Sequence, residues 1–87
     1  MKKQKKIEKS MEFRKYYLSE FQLYDGEAFV TFNIVAIDTS KNEITVAVSN
    51  RGRISVITYD LLTDNNGSLY FEHGVDYEKI RIDDFEV

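Results

Sequence analysis

The residues best suited to chemistry cluster near the end of the chain, where the single histidine, His73, has carboxylates close by in sequence. These carboxylates are Glu72, Asp76, Glu78, Asp83 and Asp84. An imidazole among carboxylates could act as a general base or bind a metal ion. A general base needs neighbours that fix it in place, and a metal site needs several ligands at defined spacings. Neither pattern is present. We therefore expect no catalytic residue and no metal site, and we interpret His73 as a histidine in a surface loop.

The composition argues against several other kinds of site. The chain has 87 residues and no cysteine, which excludes disulfides, thiolate zinc sites and cysteine nucleophiles. Its four glycines are scattered and do not form a phosphate-binding loop. We therefore predict a non-enzymatic protein without a cofactor. The absence of cysteine and of a membrane-spanning apolar run further predicts a cytoplasmic protein that does not contact membranes.

Charge is distributed unevenly along the chain. Residues 1–15 carry seven Lys and Arg against two Glu, a net charge of +5, whereas residues 16–87 carry five basic and thirteen acidic residues, a net charge of −8. A basic leader on an acidic body is typical of proteins that interact through charge. We predict two segments, a basic leader or helix at 1–15 and a small domain at 16–87.

Our leading functional hypothesis places a partner on the acidic body. A compact acidic surface can imitate the phosphates of nucleic acid and occupy the basic channel of a nuclease or another DNA-binding protein. This hypothesis predicts a protein-binding module, and in particular an inhibitor of such an enzyme. A solvated surface that only keeps the domain soluble is the competing interpretation. The predicted partner-binding residues are Asp76, Glu78, Asp83, Asp84 and Glu86.

The alternative hypothesis is a small nucleic-acid-binding regulator. Lysines in a leader and arginines at the tip of a β-ribbon can contact phosphates. The residues that would do so are Lys2, Lys3, Lys5, Lys6, Arg51 and Arg53.

A β-hairpin at 44–59 is the element around which the chain is organised. Ile44, Val46 and Val48 alternate with smaller or polar residues, and a second alternating run follows the tip Asn50-Arg-Gly52. Asn50 and Gly52 tolerate the left-handed backbone of a tight turn. Both faces of the second run carry apolar side chains, which favours a central strand over an edge strand.

Four further strands are predicted around the hairpin. Asp25-Gly26 between apolar runs indicates a hairpin of strands at 16–24 and 27–37. The apolar phase changes after Ile34, which predicts a β-bulge there. Strands at 68–72 and 78–82 complete the set, with Phe85 covering one end of the core.

Six short antiparallel strands predict an all-β domain, a five- to six-stranded SH3-like or Sm-like barrel. Apolar residues recur at helical spacing between Ile7 and Phe21, which predicts a short N-terminal helix over 3–14, although the leader is equally explained as a solvated arm. The barrel is expected to be a monomer or a homodimer, and an open edge strand near 16–24 would allow pairing between copies.

Three segments carry a resemblance to small proteins of Gram-positive phages and mobile elements. They are Val46-Ala-Val-Ser-Asn-Arg-Gly-Arg-Ile-Ser55, Thr58-Tyr-Asp-Leu61 and Tyr77-Glu-Lys-Ile80. The resemblance covers most of residues 16–87 and implies a β-barrel from a mobile element, without implying an activity.

Overall fold

Seven β-strands form the fold in the computed structural model, which describes residues 14–86. The strands are β1 (Glu20–Tyr24), β2 (Phe29–Asp38), β3 (Glu43–Asn50), β4 (Arg53–Asp60), β5 (Leu62–Thr63), β6 (Leu69–His73) and β7 (Glu78–Arg81). Two short 3₁₀ helices flank them, at Arg14–Tyr16 and Ile82–Asp84. The predicted all-β class is confirmed for the described residues. The predicted N-terminal helix lies outside them except for Arg14.

The first sheet is an antiparallel meander in the order β1-β2-β3-β4. In β3, burial follows the alternation of apolar residues with smaller or polar residues. Ile44, Val46 and Val48 are buried, and the residues between them are half-buried. One face of the sheet therefore lies on the core and the other faces solvent, as expected for an antiparallel sheet with a period of two.

The predicted bulge in β2 is confirmed. The β2–β3 register shifts between Ile34, which pairs with Val46, and Ala36, which pairs with Thr45. Val35 is the extra residue and is exposed. The bulge explains why Ile34 and Ile37 both face the core although three positions separate them.

The hairpin at 44–59 is also confirmed, with one difference in its turn. Asn50 pairs with Arg53, which leaves Arg51 and Gly52 as a two-residue loop. Their φ angles are +51° and +80°. Two successive positive φ angles define the turn type whose twist matches that of the strands. The left-handed positions are therefore Arg51 and Gly52, and not Asn50 as expected.

The second sheet has the order β5-β6-β7 and is connected to the first at Leu61. Leu61 is buried, and its N–H donates to the carbonyl of Asn42 over 2.7 Å. This contact interrupts the strand between β4 and β5, so the chain passes from one sheet to the other within three residues.

Both sheets contribute side chains to one core. Phe32 from the first sheet and Phe71 from the second are fully buried, and their ring centroids lie 6.1 Å apart. Phe85 is buried as predicted, with its ring 5.5 Å from Phe21 and 6.3 Å from Phe71. The buried residues are Val30, Phe32, Ile34, Ile44, Val46, Val48, Leu61, Phe71, Ile80, Ile82 and Phe85.

The predicted closed barrel is not found. The described residues form two sheets of four and three strands, and the β1 edge meets the C-terminal segment only in an isolated bridge between Glu20 and Glu86. Residues 16–19, predicted as strand, form the end of a 3₁₀ helix and a turn, with Leu18 at a φ of +64°. β4, predicted as a central strand, is an edge strand and is exposed from Arg53 to Thr58.

Candidate functional site

The start of β1 and the C-terminal segment meet at the bridge between Glu20 and Glu86. The N–H of Glu20 donates to the carbonyl of Glu86 over 3.0 Å, and the N–H of Glu86 donates to the carbonyl of Glu20 over 2.8 Å. Directly opposed residues of an antiparallel pair project their side chains to the same face. The side chains of Glu20 and Glu86 therefore project from the same face of the pair, and like charges at directly opposed positions are destabilising unless a positive charge compensates them.

The 3₁₀ helix at Ile82–Asp84 positions the other acidic residues. Ile82 and Phe85 are buried, which anchors both ends of the helix in the core. The residues between them, Asp83 and Asp84, are consequently exposed. Burial of the apolar neighbours thus fixes both carboxylates at the surface next to the bridge.

A shallow groove opens between β1 and this segment. We call it the acidic groove, and it is lined by Glu20, Phe21, Gln22, Asp84 and Glu86. Phe21 is half-buried and packs on Phe85, so its ring faces the core, whereas the side chains of Glu20, Asp84 and Glu86 are exposed. A groove with three exposed carboxylates suits the charged group of a Lys or Arg side chain.

The carboxylates of the acidic groove have no ion-pair partner among residues 14–86. The ion pairs there join Arg51 to Glu27, and Lys79 and Arg81 to Asp64. None of them includes Glu20, Asp84 or Glu86. The groove is therefore a concentration of negative charge that the described part of the domain does not neutralise.

Asp64 explains why the nearby basic residues are not available to the acidic groove. Its carboxylate lies 3.4 Å from Lys79 Nζ and 3.3 Å from an Arg81 guanidinium nitrogen. Backbone N–H groups of Ser68 and Asn66 also donate to it. These contacts, with the hydrogen bond from Ser68 the strongest, hold the pKa of Asp64 below its usual value. Both basic residues of β7 are thus engaged elsewhere.

The five predicted partner-binding residues do not form one surface. Asp84 and Glu86 line the acidic groove, and Asp83 lies next to it, where its carboxylate accepts a hydrogen bond of 2.8 Å from the hydroxyl of Tyr16. Burial, followed by this hydrogen bond and the charge of Asp83, raises the pKa of Tyr16. Asp76 lies in the β6–β7 turn and Glu78 is the first residue of β7, at the end of that strand away from the acidic groove.

Glu20 is the member of the acidic groove that the sequence did not reveal. It precedes the others by more than sixty positions, and no local pattern links it to them. Only the pairing between β1 and the C-terminal segment brings it into place. A prediction of that pairing would have been needed to find it.

The alternative nucleic-acid-binding residues are separated from the acidic groove. Lys2, Lys3, Lys5 and Lys6 lie outside the described residues. Arg51 and Arg53 are exposed at the hairpin tip as predicted, but the guanidinium of Arg51 forms an ion pair with Glu27 of the β1–β2 turn. This neighbouring carboxylate offsets part of the positive charge at the tip.

His73 differs from the predicted loop histidine. It is the last residue of β6 and is half-buried. Its Nδ1 lies 2.8 Å from the hydroxyl oxygen of Tyr59, and its ring meets Phe32 edge-on with 4.9 Å between centroids. Burial lowers the pKa of His73 and raises that of Tyr59. Within the described chain, the Tyr59 hydroxyl is the hydrogen-bond partner of His73, and no carboxylate orients the ring.

Over the same residues, no three His, Asp or Glu side chains converge on a point that could hold a metal ion. No helix in residues 14–86 is both long and apolar enough to cross a membrane. No protein-family model, curated protein or solved structure matches the chain.

Proposed function

We propose that the protein is a non-enzymatic protein-binding module that receives a basic segment of its partner in the acidic groove. One observation supports this proposal above all. Glu20 and Glu86 are held directly opposite each other by two backbone hydrogen bonds, with Asp84 beside them and no compensating cation among residues 14–86. Opposed like charges cost stability in the free protein, and a basic partner would remove that cost.

The chemistry of the groove defines the partner class. A nuclease or another DNA-binding enzyme presents Lys and Arg side chains along its nucleic-acid channel, and these fit a groove of exposed carboxylates. We propose that the protein inhibits such an enzyme in the cytoplasm by occupying its basic channel, and that it originates from a phage or mobile element. The net charge of −8 over residues 16–87 would speed association with a basic channel through long-range attraction.

The proposal is tested by affinity capture from nuclease-treated lysate of a Gram-positive host, read by mass spectrometry. The wild-type chain is compared with a triple variant carrying Glu20→Gln, Asp84→Asn and Glu86→Gln. These changes remove the charges of the groove and leave the backbone bridge intact. We expect the wild type to enrich one DNA-binding enzyme and the triple variant to lose most of it, since each close charged pair contributes roughly 1.5–3 kcal/mol to binding.

A matched control separates the groove from overall charge. Glu72→Gln, Asp76→Asn and Glu78→Gln change the net charge by the same amount at the β6–β7 turn. Retention of the partner by this control supports the groove. Equal loss in both variants would show that total charge matters and the groove does not. Recovery of nucleic acid alone, when nuclease treatment is omitted, would overturn the proposal and favour the basic leader with Arg51 and Arg53.

A further inference from the structure

β4 is an edge strand that has the composition of a central strand. It runs for eight residues along the free side of the first sheet, and between Arg53 and Asp60 it contains no charged residue. Ile54, Val56 and Ile57 are 71%, 66% and 36% exposed. Edge strands are normally protected by charge, proline, a bulge or a short length. β4 has none of these between its two ends.

The β3–β4 hairpin determines which backbone groups are free. The pair that closes a two-residue hairpin exchanges both hydrogen bonds, and such pairs alternate along the ladder. Asn50–Arg53 is the closing pair, so Ser55, Ile57 and Tyr59 also direct their N–H and C=O groups toward β3. The residues between them, Ile54, Val56, Thr58 and Asp60, direct theirs toward the open edge.

The other sheet edges in residues 14–86 are better protected than β4. The first residue of β1 is bridged to Glu86, β5 is only two residues long, and β7 carries Glu78, Lys79 and Arg81 among its four residues. The open edge expected near 16–24 is present at β1, which is bridged to the C-terminal segment only at Glu20. β4 is the longer edge, with eight residues against the five of β1.

We propose that β4 is the interface of a homodimer, in which it pairs antiparallel with β4 of a second copy across a twofold axis. A register centred on Ile57 lets all four outward-directed residues pair, Ile54 with the partner's Asp60 and Val56 with the partner's Thr58. On the core-facing side, Ile57 meets the partner's Ile57. The four-stranded sheets of the two copies then form one eight-stranded sheet. In this sheet β4 is a central strand, as its composition predicts.

The opposite charges at the two ends of β4 favour a second copy of the chain as the partner that pairs with its open edge. Arg53 lies at the start of β4, whereas Asp60 lies at its end with Glu43 opposite it on β3. Antiparallel pairing brings the basic end of each strand to the acidic end of the other. This inference is independent of the acidic groove.

The proposal is tested by sedimentation equilibrium of the full-length chain over a range of concentrations. Val56→Lys places a charge on the open edge, and Val75→Lys is the matched control because Val75 is 93% exposed in the β6–β7 turn. We expect a wild-type dimer, a dissociation constant raised at least about tenfold by Val56→Lys and one nearly unchanged by Val75→Lys. Circular dichroism of each variant verifies that the fold is retained.

Two further measurements specify the geometry. Arg53→Glu and Asp60→Arg should each weaken the dimer, because each reduces the opposition of charge between the paired strand ends. Backbone amides of Ile54, Val56 and Thr58 should exchange more slowly as the concentration rises. A monomer at every concentration, or a dimer that Val56→Lys does not weaken, would overturn the proposal. If these amides were protected in a monomer, another segment of the same chain would cover the edge of β4, and the proposal would be wrong.

Discussion

At the scale of single residues, the contacts of His73 make the stability of the fold depend on pH. The ring packs edge-on against Phe32 and bonds to the Tyr59 hydroxyl, and burial lowers its pKa. Desolvation disfavours the charged imidazolium in the folded state, whereas the unfolded chain can protonate near the usual pKa of about 6.5. The unfolded state therefore binds more protons just below that pH.

This difference predicts a stability that falls on mild acidification. Above about pH 7.5 the imidazole is almost entirely neutral in both states and contributes little pH dependence. As the pH drops below that value, the unfolded state gains protons first, so the free energy of unfolding decreases. We expect the Tm of the wild type to fall between pH 7.5 and 5.5, measured by circular dichroism.

A His73→Gln variant is the control for this effect. Glutamine can retain a hydrogen bond to Tyr59 and has no titrating group, so its Tm should be nearly flat over the same range. Few carboxylates titrate above pH 5.5, which keeps their contribution small. A wild-type Tm that stays constant, or a variant that follows the wild type, would contradict the assignment.

At the scale of elements, the β3–β4 turn carries a conformational cost that one substitution can remove. Arg51 occupies the left-handed region at a φ of +51°. That conformation costs a typical side chain about 1–2 kcal/mol, and Asn tolerates it better. The exposed ion pair between Arg51 and Glu27 contributes only about 0.2–1 kcal/mol. The free energy gained by relieving the conformational cost at position 51 therefore exceeds the free energy lost with the ion pair.

We accordingly expect Arg51→Asn to raise the free energy of unfolding by about 0.5 kcal/mol in urea denaturation. Glu27→Gln is the companion variant, because it removes the same ion pair and leaves the turn unchanged. It should lower stability by about 0.5 kcal/mol or less. Destabilisation by Arg51→Asn equal to that of Glu27→Gln would show that asparagine relieves no conformational cost and that the ion pair dominates.

The elements also show what the sequence could and could not predict. The β2 bulge and the two hairpins were predictable because a change of apolar phase and short turn-forming segments act locally. The position of β4 at the edge of the sheet was not predictable, because the alternation of apolar residues along a strand does not specify which strands lie beside it. The interruption at Leu61 and the turn at 16–19 depend on contacts with Asn42 and Ile34, residues distant in sequence. Glu20 was missed as a member of the acidic groove for the same reason, because only pairing with a segment distant in sequence brings it there.

At the scale of the whole molecule, the shared core makes the two sheets depend on each other. Phe71 is fully buried and lies near Phe32, Tyr59 and Phe85, so it joins both sheets and the C-terminal segment. Removing a buried phenylalanine ring costs about 3–5 kcal/mol. A domain of this size has a total stability of roughly the same amount. The two sheets should therefore unfold in one transition.

We expect Phe71→Ala to leave most of the protein unfolded at 25 °C, as judged by far-ultraviolet circular dichroism. Phe29→Ala is the matched control, because Phe29 is 58% exposed and its replacement should cost about 1 kcal/mol or less. If Phe71→Ala retained a cooperatively folded first sheet while losing the second, the shared core would not couple them.

The contacts between the start and the end of the fold have a consequence for the order of folding. Tyr16 and Asp83 are 67 positions apart, and the Glu20–Glu86 bridge joins the same two segments. Closing a loop of that length costs about 4 kcal/mol of chain entropy, more than a few hydrogen bonds of about 1 kcal/mol each return. We therefore expect these contacts to form late, after the hairpins and the aromatic core have brought the segments together. The acidic groove is then expected to be the last part of the domain to assemble and the first to open when the stability of the domain declines.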